Sequence, residues 1–138
     1  LDAMGPQAEL IRKGTDWQQT VDNRRRMMQE VPHVDFYVSS TVSSMNVLHV
    51  LDFHKAWVDQ GLIAAKDWNV NICQSPDWYR ADIFPEAFKR DVITPAYEQH
   101  IAWLEPQDSL KRATNGFKSM LSFINGKVVY STIYFRLL

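Results

Sequence analysis

The sequence is poor in thiols: its 138 residues hold one cysteine, Cys73. A single thiol excludes a disulfide within the chain, and it excludes a zinc site or iron–sulfur cluster built from several thiolates of this chain. Charge of one sign is equally scarce. The formal net charge is -1, from 15 basic and 16 acidic residues, too small a field to draw the protein onto nucleic acid or an anionic membrane. The only basic block, Arg24-Arg25-Arg26, is too short for a nucleic-acid footprint and reads as a solvated helix face. No stretch approaches the roughly 18 apolar residues of a membrane span, and no charged segment followed by an apolar one suggests secretion. The expectation is a cytoplasmic protein with no membrane and no nucleic-acid partner. His33, His49, His54 and His100 are scattered, with no H-E-x-x-H, so no zinc site is expected. Neither a G-x-S-x-G elbow nor a Gly-rich phosphate loop occurs, which argues against an α/β-hydrolase and a nucleotide-binding module.

What is present reads as one domain spanning residues 1–138, long enough to bury roughly two thirds of the surface of its unfolded form. Leu1 to Pro6 have the look of a β-strand's last step turning into a loop. Thr15-Asp16-Trp17-Gln18 has the form of a capping box, in which the Thr15 hydroxyl and the Gln18 side chain satisfy the first helical N–H groups. The amphipathic helix that follows, with Trp17, Val21, Met28 and Val31 near one face, stops at Pro32. Residues 34–42, rich in β-branched and aromatic side chains, predict a strand. Asn46 is read as the N-cap and Gly61 as the C′ residue of a second, well-buried helix. Residues 67–74 predict the next strand, and SPDWYRADIFP the loop after it. Pro85 suits a short helix, Thr94-Pro95 an N-cap with Pro at N1 of a helix running to about Leu104, and residues 107–123 a further helix interrupted by Gly116. Asn125-Gly126 fits either a helix stop or a hairpin turn, and the tail KVVYSTIYFRLL is taken as a third strand. Short connections between alternating strands and helices indicate parallel βαβ units, hence an α/β fold.

The two inner strands each carry one apolar and one polar face. Val34, Phe36, Val38 and Ser40 oppose Asp35, Tyr37, Ser39 and Thr41; Trp68, Val70 and Ile72 oppose Asn69, Asn71 and Cys73. A sheet covered by helices on both faces reads instead as continuous apolar runs. Two arrangements fit equally: a barrel-like sheet with helices outside and a polar, ligand-holding lumen, or a sheet with one solvated face.

The opening LDAMGPQAELIRKGTDW resembles the segment of radical S-adenosylmethionine (SAM) enzymes in which a strand ends in Ser-x-Asp-Gly and a loop leads to an Ile-Arg pair. TVSSMNVLHV is similar to that family's next strand-to-helix turn, and NVNICQSPDWY to the strand after it. The nearest group is that of the sulfatase-maturation-like and twitch-domain radical SAM proteins. The resemblance runs from Leu1 to roughly Asn125, and it departs from the pattern at Ala3, where the family has Gly. It implies half of a partial (β/α)6 barrel, from the end of strand four onward, with helices on one face and extra C-terminal helices. The family's C-x-x-x-C-x-x-C loop, which holds a 4Fe–4S cluster, and its Gly-Gly-Glu segment do not occur in this sequence.

The resemblance also implies roles. Arg12 matches the arginine that pairs with the cofactor's carboxylate, a task that suits a guanidinium fork. Asp2 matches the motif's acid, with a loop-structuring role equally open. Thr41, Cys73 and Gln74 sit near the C-terminal ends of their strands, where barrel enzymes place their sites; Thr41 and Gln74 are assigned to the cofactor side, and Cys73 reads as a small hydrophobe. Trp78, Tyr79 and Arg80 form a loop that either contacts a peptide substrate or packs onto the barrel. The expected function is a fragment of a radical SAM enzyme, inactive and without cofactor on its own, with SAM and the 4Fe–4S cluster belonging to the intact parent. The alternative is a non-catalytic interaction module. Either way a homodimer is expected, through the edge of the strand bearing Val34, Val38 and Val42 or through exchange of the tail from Lys127 to Arg136.

Overall fold

The computed structural model describes residues 1–126 as a mixed α/β fold around a two-stranded parallel sheet. Leu1 to Met4 run extended beside the first strand, and Pro6 in the first turn starts helix α1, Gly5–Ile11, which the sequence did not announce. Helix α2 spans Trp17–Glu30. Its N-cap is Asp16, whose Oδ1 accepts the Gln19 N–H at 2.9 Å. The capping box expected one residue earlier does not form: Gln18 donates to Asp22 instead, at 3.0 Å. A carboxylate is the stronger acceptor and is favoured by the positive end of the helix dipole.

Strand β1 covers Val38–Val42 and β2 Trp68–Ile72, paired in parallel from Val38↔Trp68 to Val42↔Ile72. The predicted strand at 34–42 is therefore shorter at its start. Residues 34–37 have strand composition, yet the ladder begins only where Asp67 O accepts the Val38 N–H, and Val34 and Tyr37 stay exposed. Between the strands lies helix α3, His49–Asp59. Asn46 does not cap it, because its carboxamide is committed elsewhere. Gly61 does end it as expected: with φ +69° it lets the Leu62 and Gly61 N–H groups return to Trp57 O and Val58 O.

After β2, helix α4 (Glu86–Phe88), a π-helical turn (Lys89–Ile93) and α5 (Thr94–Leu104) form one continuous helix. Thr94-Pro95 is thus no start signal. The wider turn, in which the Thr94 N–H reaches Lys89 O, absorbs the missing N–H of Pro95 without breaking the helix. Helix α6 spans Arg112–Ile124. Gly116 does not interrupt it; it lies against Val70 of β2, where an added Cβ would come within 3.2 Å of the valine Cβ. The predicted third strand at 127–138 lies outside the described residues.

The core fills the apolar side of the sheet. Phe53 and Trp57 from α3, Trp68 from β2, Tyr97 and Leu104 from α5, and Phe117 and Met120 from α6 are all essentially inaccessible, each contributing roughly 2–3 kcal/mol by burial. Trp17 of α2 closes this cluster against Phe53 and Trp57, with ring centroids 5.6 and 5.7 Å apart. At its centre His54 stacks on Trp68 (4.5 Å) and bonds to His100 (3.0 Å).

Candidate functional site

The parallel pairing places the C-terminal ends of β1 and β2 side by side, and the segment preceding α1 lies along β1. The Leu1 backbone nitrogen donates to Ser39 O at 3.3 Å, and Asp2 Oδ1 accepts the Thr41 N–H at 2.9 Å. The edge of β1 is thus occupied at these two residues. Asp2 Oδ2 accepts from Arg12 Nε at 2.6 Å, joining the end of α1 to the end of the strand. Within this pair the acid is buried, at 8% side-chain exposure, and the arginine is open, at 63%. Among the described residues, the terminal guanidinium nitrogens of Arg12 make no other bond.

Behind this pair stands Asn46. Its Nδ2 donates to Asp2 O (2.7 Å) and Thr41 O (3.0 Å), and its Oδ1 accepts the Ser43 N–H (2.7 Å). His49 supports the same loop, its Nε2 accepting the Met4 N–H at 3.0 Å. Asn46 reads from sequence only as a helix cap and His49 has no role there, because Asp2 and Met4, which they hold, lie 44 and 45 positions earlier in the chain. The outward face of the sheet is neutral and polar: Asn71 Nδ2 donates to Ser39 Oγ at 2.7 Å, with Asn69 and Thr41 beside them.

Of the site residues expected from sequence, Asp2, Arg12 and Thr41 come together. Gln74 lies exposed two residues beyond β2, and no described bond joins it to the other three. Cys73 is half-buried, its thiol facing Ser75 O at 3.5 Å. The loop residues divide. Ser44 fixes the loop backbone through Trp78 O and Tyr79 O, and Trp78 stands 68% exposed. Arg80 turns inward instead: it makes a two-pronged ion pair with Asp82 (3.0 and 2.7 Å) and lies over the Phe123 ring at 5.1 Å.

The donor set decides which groups this site suits. A guanidinium anchored at Nε, with its terminal nitrogens open, suits a carboxylate approached end-on. An iron–sulfur cluster does not fit: Cys73 is the sole thiol of the chain, and among the described residues no three His, Cys, Asp or Glu side chains gather as metal ligands. No described helix is long and apolar enough to cross a membrane. No protein-family pattern, curated protein or solved structure matches the chain.

Proposed function

We propose that this chain is the second half of a radical SAM core, half of a partial (β/α)6 barrel that supplies the wall binding the amino-acid end of S-adenosylmethionine. The observation that carries this reading is the meeting of Asp2, Arg12 and Thr41 at the C-terminal end of a parallel strand, the end at which barrel folds hold their ligands. The neutral sheet face of Ser39, Thr41, Asn69 and Asn71 supports it, since a lumen wall needs hydrogen-bonding groups without charge to compete with the ligand's own.

In this reading Arg12 binds and orients the methionyl carboxylate, and the sheet face offers hydroxyl and carboxamide groups to the rest of the ligand. SAM, when bound to a complete core, is the source of the radical. The cluster that reduces it belongs to residues other than these, so the chain by itself is inactive. Trp78 and Tyr79 stand beside the strand ends as the contact for substrate, whereas Arg80 serves the scaffold. The partner reading is a homodimer.

Titration of the isotopically labelled chain with SAM, followed by amide NMR, tests the proposal. Shifts gathered at residues 1–3, 12, 39–43 and 69–74 are expected. Shifts absent at millimolar SAM, or gathered at the opposite end of the strands around Phe36 and Arg112, would overturn it.

A further inference from the structure

We propose that Asp2 is a positioning residue: it does not meet the ligand but fixes the Arg12 guanidinium through Nε, so that the two terminal nitrogens face a carboxylate end-on. The inference rests on the SAM reading and concerns how that site reaches its selectivity.

A guanidinium has a lateral edge, which includes Nε, and a terminal edge made of its two outer nitrogens. Asp2 takes Nε, at 2.6 Å. Arg12 follows the last turn of α1 on a long side chain 63% exposed, and unrestrained it would sample many rotamers that binding must then remove. Asp2 has no such freedom. One carboxylate oxygen is held by the Thr41 N–H, and its backbone carbonyl is held by Asn46, itself only 2% exposed. A continuous line of bonds therefore runs from the sheet, through Asn46 and Asp2, to Nε. The asymmetry of burial gives the pair its direction: the carboxylate is the fixed member and the guanidinium the one offered outward. With the guanidinium 63% exposed, solvent screens the attraction within the pair, and the bond at Nε sets the direction in which the guanidinium is offered.

The test uses two probes, SAM and 5′-methylthioadenosine, which keeps the nucleoside and thioether but lacks the amino acid. Asp2→Asn keeps an acceptor for the Thr41 N–H and removes the charge. It should weaken SAM about tenfold, the worth of one charge-assisted hydrogen bond, and leave methylthioadenosine within about twofold. Arg12→Lys, which leaves Asp2 and its bonds to the sheet intact, should show the same split. Equal loss of both ligands in Asp2→Asn would mean a structural role and overturn the proposal. Should Asp2→Asn fail to fold, an Arg12→Lys variant that binds both probes as tightly as the parent would overturn it as well. An independent readout needs no ligand: the Arg12 Nε–H should exchange slowly with solvent in the parent and fast in Asp2→Asn. If the parent binds neither probe, the SAM reading fails while this arm still decides the positioning role, and unchanged exchange in Asp2→Asn would end it.

Discussion

Acidification should unfold this protein through the His54–His100 pair. His54 Nε2 faces Ala65 O at 2.9 Å, and a carbonyl can only accept, so the proton of neutral His54 sits on Nε2. Its Nδ1 therefore accepts from His100 Nε2 at 3.0 Å, which leaves His100 Nδ1 as a bare acceptor in the interior, without a partner among the described residues. Burial against Trp68 and Phe117 disfavours the charged forms. It lowers His54 to about 4, partly opposed by the bond to Ala65 and by Asp108, and lowers His100 to about 3, where the neighbouring His54 adds to the effect. Both folded values lie below the ordinary 6.5, so the unfolded chain takes up protons first. Their contribution is fully present above pH 6.5 and is lost as pH falls toward the folded values. Well inside this window each histidine costs on the order of 1 kcal/mol per pH unit, and the two act in the same direction. Down to about pH 4 the loss amounts to several kcal/mol, on the order of the whole stability of a domain. Urea titrations at about pH 7, 6 and 5, read by tryptophan fluorescence, give the slope, and Trp68 stacked on His54 is a local reporter. His100→Leu should cut the steepness by roughly half, whatever it costs at neutral pH. Parent and variant falling in parallel would refute the reasoning.

Other outcomes follow from individual contacts. Asn46→Ala should destabilise by about 2–4 kcal/mol in urea titration, because it strands the buried Asp2 carbonyl and the part-buried Thr41 carbonyl and Ser43 N–H. Gly116→Val should lose about 1–3 kcal/mol by crowding Val70 across the α6–β2 contact. Trp78→Ala should leave the melting temperature nearly unchanged, whereas Arg80→Ala should lower stability by about 1–2 kcal/mol by unpairing Asp82 and uncovering Phe123. Anaerobic reconstitution with iron and sulfide should yield no stable four-iron chromophore, which visible absorbance and iron analysis would check.

The parallel βαβ unit and the two-faced strands were legible because alternation and helical period are local signals. Gly61 was legible because a positive φ at a helix end calls for glycine. The failures have a common cause in long-range partners. Asn46 looks like a cap in its own neighbourhood and is claimed by Asp2, 44 residues earlier. Residues 34–37 have strand composition but face no strand among the described residues, since β2 begins only at Trp68. Thr15 reads as the cap of the helix, whereas Asp16, one residue on, holds that place through its carboxylate. Pro95 signals a helix start unless a π turn precedes it, which local composition does not encode. In the candidate site, Asp2, Arg12 and Thr41 were nameable from the resemblance, but the bond from Arg12 to Asp2 and the support of Asn46 required the fold. Arg80 was grouped with Trp78 and Tyr79 by position, whereas its pairing with Asp82 and its ring contact with Phe123 set it apart.

The central claim, that this chain is one half of a radical SAM core, is tested most directly by sequencing the gene upstream of the codon for Leu1. The account predicts an open frame that continues through a C-x-x-x-C-x-x-C loop and a Gly-Gly-Glu segment and ends in a serine just before Leu1. A stop codon in frame immediately upstream, or an upstream half with no such cysteine loop, would contradict it.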